Sequence, residues 1–110
     1  MKLLTQAQRE RLRANSVRQD EDPERGIDFE PVVKLFGGSA TWLLTEMDEH
    51  GVCFGLCDLG QGFPELGSVS IDELEAYRGF PMIERDRYFK ADKTLSAYAT
   101  EAREHQRIIA

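Results

Sequence analysis

Residues 67–89 read GSVSIDELEAYRGFPMIERDRYF, and this stretch decides the fold because it predicts a strand, a capped helix, a turn and a second strand. Ser70 precedes Glu73 by three residues, the spacing of a capping box, so a short helix is expected to begin at Ile71. Gly79 suits the left-handed position that follows a last helical turn, and Pro81 cannot continue a helix. The alternating charges of residues 83–89 then indicate a charged edge strand.

Short apolar runs upstream of this stretch predict further strands at residues 32–36, 41–47, 52–59 and 65–69. Gly51 fits the positive-φ position of a hairpin between the second and the third of them. Because the strands follow one another through hairpins and the helices cluster at the ends, we predict an α+β fold. The expected architecture is a small antiparallel sheet of about four to five strands with helices packed on one side.

The length of the chain predicts a single domain over residues 1–110. Thr5 and Gln8 form a second capping-box spacing, which predicts a short helix from Gln6 to about Ala14. Residues 15–30 are polar and charged, so a mobile loop is expected there, and residues 93–110 are expected to form a C-terminal helix. The sequence contains no apolar run typical of a signal peptide or a membrane span, which predicts a soluble, cytoplasmic protein without membrane contact.

Cys53 and Cys57 fall on one predicted strand, on the same face and roughly 13 Å apart. A disulfide requires Cα atoms within about 7 Å of each other. His50 and His105 do not complete a zinc-binding pattern around the two thiols. Buried, reduced cysteines are therefore the favoured interpretation, with a redox pair as the alternative, and no metal or cofactor site is predicted.

The chain resembles a small bacterial family of unknown function that is often encoded on plasmids and other mobile elements. The resemblance rests on motifs in the same order: MKLLT at 1–5, KLF at 34–36, TW at 41–42, TE at 45–46, FGL at 54–56, ELG at 65–67, SIDELE at 70–75, RG at 78–79, ERD at 84–86 and YF at 88–89. It covers residues 1 to about 90 and leaves the C-terminal helix outside. It implies a fold and a genetic setting, and no activity, cofactor or catalytic residue comes with it.

The net charge of −6 is concentrated in the middle of the chain, where residues 31–80 hold eight of the twenty carboxylates and two of the fourteen Lys and Arg residues. Such a surface disfavours direct nucleic-acid binding and can attract a basic protein. We therefore predict a non-enzymatic interaction protein that binds a basic nucleic-acid-handling or defence protein; the alternative is an acidic surface that only maintains solubility. The predicted interaction patch consists of Asp58, Glu65, Asp72, Glu73 and Glu75.

A small metal-dependent hydrolase or nuclease is the alternative function. Glu46, Glu84 and Asp86 could together hold a divalent cation, because hard cations bind several carboxylate oxygens. Glu101 and His105, at i and i+4 of the C-terminal helix, are a weaker pair of candidate ligands, and an exposed helical ion pair is their simpler interpretation. Motifs of nucleophilic, phosphate-binding or zinc-protease sites do not occur in the sequence, so catalytic residues are not predicted.

Overall fold

The computed structural model describes residues 2–110 and confirms the predicted α+β class. Its elements are α1 (Gln6–Glu21), β1 (Val33–Gly37), β2 (Ala40–Met47), β3 (Val52–Asp58), β4 (Glu65–Ser70), α2 (Ile71–Ala76), β5 (Glu84–Arg85) and α3 (Leu95–His105). The strands form one antiparallel sheet in the order β4-β3-β2-β1-β5, with β4 and β5 at its two edges. The predicted hairpin joins β2 to β3, and Gly51 has φ +81° in its turn.

One face of the sheet, here called the first face, is covered by α1 and α2. Trp42 and Leu44 project from β2 into its core, where they meet Leu12 of α1 and Ile71 of α2. Leu3 and Leu4 of the N-terminal segment join the same cluster. Alternation along a strand explains why Trp42 and Leu44 share this face, and Trp42 is a core residue.

The opposite face, here called the second face, is covered by α3. Leu43 of β2 and Leu56 of β3 pack there against Leu95, Tyr98 and Ala102 of the helix. The prediction that the helices lie on one side of the sheet is therefore wrong for α3 and correct for the other two. The sequence did not show which face of the sheet each helix covers, because β1, β2, β3 and β4 each carry apolar residues at both odd and even positions.

Helix α1 continues to Glu21, so the loop predicted over residues 15–30 begins later than expected. The prediction ended the helix near Ala14 because its apolar face is thin, and the structure shows polar contacts in its place. Gln19 Nε2 donates to the carbonyl of Ile27 at 2.9 Å, and Gln19 Oε1 accepts from the amide of Ile27 at 2.8 Å. These two bonds join the end of the helix to the following segment.

Strand β2 contains a bulge at Thr45, which shifts its register against β3. Leu44 and Met47 consequently face the same cluster although they are three residues apart. The backbone around the bulge also accepts hydrogen bonds from α1: Arg13 Nη1 donates to Met47 O at 2.6 Å and Asn15 Nδ2 donates to Thr45 O at 2.9 Å. The polar side of α1 is therefore part of the fold.

The segment after α2 differs from the prediction in two respects. The helix ends at Ala76 with Tyr77 in an extended conformation, and Gly79 does not have a positive φ. The edge strand predicted over residues 83–89 is reduced to Glu84–Arg85, which pairs with β1. The connection between α2 and β5 is therefore longer than expected, and it exposes several apolar side chains described below.

Candidate functional site

Helix α2 presents two of the predicted acidic residues to solvent. Ser70 Oγ accepts a hydrogen bond from the amide of Glu73 at 3.3 Å, which confirms the predicted N-cap and start of the helix. Asp72 and Glu73 lie in the first turn, and both side chains are exposed. Carboxylates at this end stabilise a helix through its dipole, so they have a structural role whether or not they also bind a partner.

A groove runs along α2 and the connection that follows it. It consists of two adjoining hollows of about 300 Å³ and about 410 Å³ that share Leu74, Tyr77 and Ile83. The first hollow adds Leu3 and Met82 to its walls, and the second adds Trp42, Leu59 and Pro81, with Glu73 at its margin. We call the two together the α2 groove.

Large apolar side chains surround the α2 groove and remain in contact with water. Among the residues that line it, Leu59 is 59% exposed and Tyr77 and Met82 are 50% exposed each; Phe80, which lies in the same connection but lines neither hollow, is 93% exposed. Single exposed apolar residues are common on soluble proteins, whereas a cluster of them around a concave surface is typical of a binding site. The geometry therefore joins a concave apolar surface to the acidic first turn of α2.

Glu75, also on α2, has a structural role in the N-terminal segment. Its Oε2 accepts a hydrogen bond from the amide of Leu3 at 2.7 Å, and Arg85 Nη1 donates to the carbonyl of the same Leu3 at 2.8 Å. Arg78 Nη1 donates to the carbonyl of Glu75 at 2.8 Å. Glu75 is half-buried, so it contributes less to an exposed acidic surface than the sequence suggested.

The remaining two residues of the predicted patch, Asp58 and Glu65, do not line the α2 groove. Asp58 is 3% exposed, and its two carboxylate oxygens accept from the amides of Gly60 at 2.8 Å and Ile108 at 3.0 Å. Glu65 is exposed, but it begins β4, five residues and roughly 17 Å of strand before the cap of α2. The prediction that Asp58 lies on a docking surface is wrong, because its carboxylate is buried and accepts a hydrogen bond from the segment that follows α3.

The structure separates the carboxylates of the predicted hydrolase site. Glu46 lies near the end of β2 and receives Gln19 Nε2 at 3.4 Å, whereas Glu84 lies on β5, two strands away. Asp86 pairs with Lys34, with 3.5 Å between Oδ2 and Nζ. Within residues 2–110, no three His, Cys, Asp or Glu side chains are grouped so that they could hold a metal ion. The prediction of clustered carboxylates is wrong, because residues that follow one another along the chain are distributed over different strands.

The other candidate groups have ordinary surroundings. Glu101 lies 3.4 Å from Lys93 Nζ, and His105 is exposed at the end of α3. Both cysteines are free and lie on strand β3, with Cys53 fully buried and Cys57 partly so. Burial raises the pKa of the Cys53 thiol to about 12, and burial also raises the pKa of Cys57. Both therefore remain protonated near neutral pH, which does not favour thiolate chemistry.

The fold and the site define a small α+β protein with an antiparallel sheet covered on both faces and an apolar groove beside an acidic helix end. The chain belongs to the family of proteins of unknown function DUF2958, whose family model matches residues 3–109. The match includes α3, so the expectation that the resemblance ends near residue 90 is wrong. No curated protein and no solved structure matches the chain. Among residues 2–110, no helix has both the length and the apolar character needed to cross a bilayer.

The sequence-based patch contained the acidic residues and missed their apolar neighbours. Tyr77, Phe80 and Met82 lie in the stretch YRGFPM, which was interpreted only as a turn between the helix and the edge strand. Three large apolar side chains in so short a connection were the available signal, because turn residues are ordinarily small or polar. Leu59 and Trp42 reach the groove from other elements, and only the fold brings them there.

Proposed function

We propose that this chain is a non-enzymatic protein-binding domain whose α2 groove accepts a basic, partly apolar segment of a partner protein. One observation carries the proposal: the exposed side chains of Tyr77, Met82 and Leu59 line a groove that Glu73 also lines, and Asp72 is exposed beside Glu73 in the first turn of α2. The combination specifies the chemistry of the occupant. An aromatic or aliphatic side chain would enter the groove, and neighbouring Lys or Arg residues would lie against the first turn of α2.

The two parts of this surface have different energetic roles. Complete burial of one large apolar side chain contributes about 1.5–3 kcal/mol, so the groove would supply most of the affinity. The carboxylates at the rim are exposed, and pairs formed there would contribute little affinity but would accelerate association with a basic surface. Binding should accordingly become slower at high salt concentration, with a smaller change in the dissociation rate.

The class of partner follows from the same charges. A net charge of −6 repels nucleic acid, whereas the basic surfaces of nucleic-acid-handling and defence proteins complement it. The setting on bacterial mobile elements that the sequence resemblance implies, together with the cytoplasmic location predicted from the sequence, would bring the chain together with such proteins. When this chain binds such a partner, it would cover the partner's nucleic-acid-binding surface.

The test uses three variants of the full-length chain as bait in a lysate of the native host, with quantitative mass spectrometry of the bound proteins. Tyr77→Ala removes an exposed apolar side chain that lines both hollows of the groove, and Asp72→Asn/Glu73→Gln removes the two carboxylates in the first turn of α2. Glu49→Gln/Glu104→Gln is the matched control, because it removes the same charge from exposed positions outside the groove. Far-UV circular dichroism and thermal melting establish that each variant is folded.

The proposal expects at least one basic protein that binds the unmodified chain and the control but is depleted tenfold or more with Tyr77→Ala. The same protein, once purified, should associate more slowly with Asp72→Asn/Glu73→Gln than with the control. Equal recovery of all partners by the four baits would contradict the proposal and leave the acidic surface with a solubilising role. Loss of binding in the control as well as in the rim variant would assign the effect to net charge alone, which also contradicts a specific groove.

A further inference from the structure

Strand β4 leaves one edge of the sheet with unpaired backbone groups. The amide of Ile71 donates to the carbonyl of Gly51 at 3.0 Å, which makes these two residues a hydrogen-bonded pair of the β3–β4 ladder. Such pairs alternate along an antiparallel ladder, so Val69 and Gly67 direct their backbone groups toward β3. Leu66 and Ser68 therefore direct their N–H and C=O groups outward, and Ser70 directs its N–H outward, whereas the C=O of Ser70 belongs to the N-cap of α2.

This edge lacks the features that ordinarily prevent strands from pairing. Natural edges are short, charged, bulged, interrupted by proline or covered by another element. The opposite edge, β5, follows that rule with two residues, both charged. In contrast, residues 66–70 of β4 contain no charge, no proline and no bulge, and α2 turns from the end of β4 onto the first face instead of over the edge.

We propose that β4 pairs antiparallel with β4 of a second copy of this chain, about a two-fold axis at Ser68. Ser68 would then face the same residue of the second copy, and Leu66 would face the second copy's Ser70. The two sheets would join into one continuous sheet. A symmetric pairing of this kind uses the same surface on both copies and closes at the dimer.

The chemistry of the edge identifies a second copy as the occupant. Because residues 66–70 carry no charge, a two-fold axis at Ser68 brings no like charges together, and the two Glu65 side chains lie at opposite ends of the pairing. Gly67 provides a notch, since a Cβ built there meets nothing within 4 Å. The proposed register places the second copy's Val69 opposite Gly67, and the symmetry places Val69 opposite the second copy's Gly67.

The apolar side chains beside the edge supply a second argument. On the second face, Leu66 is 40% exposed, Val52 38% and Phe54 37%, and they form a strip that reaches β4. Val52 lies opposite Ser70 in the β3–β4 ladder. Pairing of Leu66 with the second copy's Ser70 therefore places Leu66 in the same row as that copy's Val52, roughly 10 Å away, with only the small Ser70 side chain between them. The two apolar strips would then lie on the same face of the joined sheet. This surface lies apart from the α2 groove, so the dimer and the proposed partner are independent.

The first experiment measures the mass of the full-length chain by sedimentation equilibrium from micromolar to submillimolar concentration. We expect a dimer that dissociates on dilution, because strand pairing alone buries less area than a permanent interface. Ser68→Pro removes an outward N–H that the monomer does not use, and it should weaken dimerisation at least tenfold. Ser68→Ala keeps that N–H and should dimerise like the unmodified chain. A monomer at every concentration, or equal dimerisation by both variants, would overturn the proposal.

The second experiment tests the register and does not depend on the folding of the proline variant. Hydrogen-bonded pairs have Cα atoms about 5.5 Å apart, which is within disulfide range, so Ser68→Cys in a Cys57→Ser background should form a covalent dimer with oxidised glutathione. Leu66→Cys in the same background is the control, because the two copies of residue 66 would lie roughly 14 Å apart. Equal crosslinking of both variants, or of neither, would refute a pairing centred on Ser68.

Discussion

The two faces of the sheet are covered in different ways, although they share every strand. On the first face, α1, α2 and the N-terminal segment enclose a cluster that extends from Leu3 and Leu12 to Trp42 and Ile71. On the second face, α3 alone encloses a smaller cluster around Leu43 and Leu56. The difference shows that the first face contains the main folding core, and that the second face depends on how firmly α3 is held.

Two carboxylates hold α3 at its ends. Asp28 accepts hydrogen bonds from the amide of Ser96, at 3.1 Å, and from its hydroxyl, at the start of the helix. Asp58 accepts from the amide of Ile108, just beyond the end of the helix. Helix α1 is attached differently, because its own polar side chains donate to carbonyls around the β2 bulge. Helix α1, which covers the larger cluster, is thus held by hydrogen bonds from side chains along its length, whereas α3 is held by carboxylate acceptors at its two ends.

Gly55→Ala should have the largest effect on either face, because a Cβ at this position would lie 1.9 Å from the carbonyl oxygen of Leu43. The neighbouring backbone would have to move, so we expect a loss of roughly 3 kcal/mol or more in the free energy of unfolding. Gly67→Ala is the matched control, since Gly67 is the cross-strand partner of Gly55 and a Cβ there meets nothing within 4 Å. Urea unfolding at low protein concentration compares the two, and losses of similar size would contradict the close approach of β2 and β3.

Leu12→Ala and Leu95→Ala compare the two faces directly. Both side chains are buried, at 0% and 5% exposure, and each anchors one helix. We expect a loss of about 3–4 kcal/mol for Leu12→Ala and about 2–3 kcal/mol for Leu95→Ala, because the smaller cluster has fewer neighbours to lose. Hydrogen exchange should show that Leu95→Ala increases exchange in α3 before it affects the strands. If Leu95→Ala costs more than Leu12→Ala, the first face is not the main core.

The strands could be predicted from the sequence because apolar runs, turn glycines and the Ser70 cap are local signals. The bulge at Thr45 has no such signal, and strict alternation would have placed Met47 on the face opposite to Leu44. Helix α1 was predicted too short for a related reason. Its last turns are stabilised by Asn15 and Gln19, whose hydrogen bonds reach residues that only the fold brings near.

The candidate site was predictable in its charge and not in its shape. Asp72 and Glu73 could be placed on the first turn of a helix from local spacing, and they are exposed there. Asp58 looks equivalent to them in the sequence, but the C-terminal segment returns to it from fifty residues away and buries it. The α2 groove requires Leu3, Trp42 and Leu59 to meet the connection after α2, and no local pattern encodes contacts over such separations.

Asp28→Ala tests the attachment of α3 at its start and should cost about 1 kcal/mol at neutral pH, as the loss of a helix cap does. The pKa of Asp28 lies below its ordinary value of 3.8, because hydrogen bonds from Ser96 outweigh the opposing effect of partial burial. Because the pKa of Asp28 is lower in the folded than in the unfolded state, its ionised carboxylate stabilises the folded state, and the full effect is present above about pH 4. This stabilisation is lost as the pH falls through the pKa of the folded state. Ser96→Ala, which retains the amide donor, should cost less. If the cost of Asp28→Ala is the same at neutral pH and well below pH 3.8, the carboxylate is not the group that holds α3.

Glu46→Gln should have the smallest effect, and it should stabilise the protein. Burial, and secondarily repulsion by Asp20, raise the pKa of Glu46 above its ordinary value of 4.5, so its charged form destabilises the folded state. Above the folded pKa the unmodified chain carries this penalty, and below pH 4.5 it does not. Glutamine keeps an acceptor for Gln19 Nε2, so we expect a gain of up to about 0.5 kcal/mol at pH 7, small because the group is partly solvated, and none at low pH. Thermal melting at pH 7 and at a pH below 4.5 measures the stability difference between Glu46→Gln and the unmodified chain. Glu49→Gln, a substitution at an exposed turn position, is the control. A stabilisation that persists below pH 4.5 would show that the gain comes from packing at the bulge and not from the buried charge.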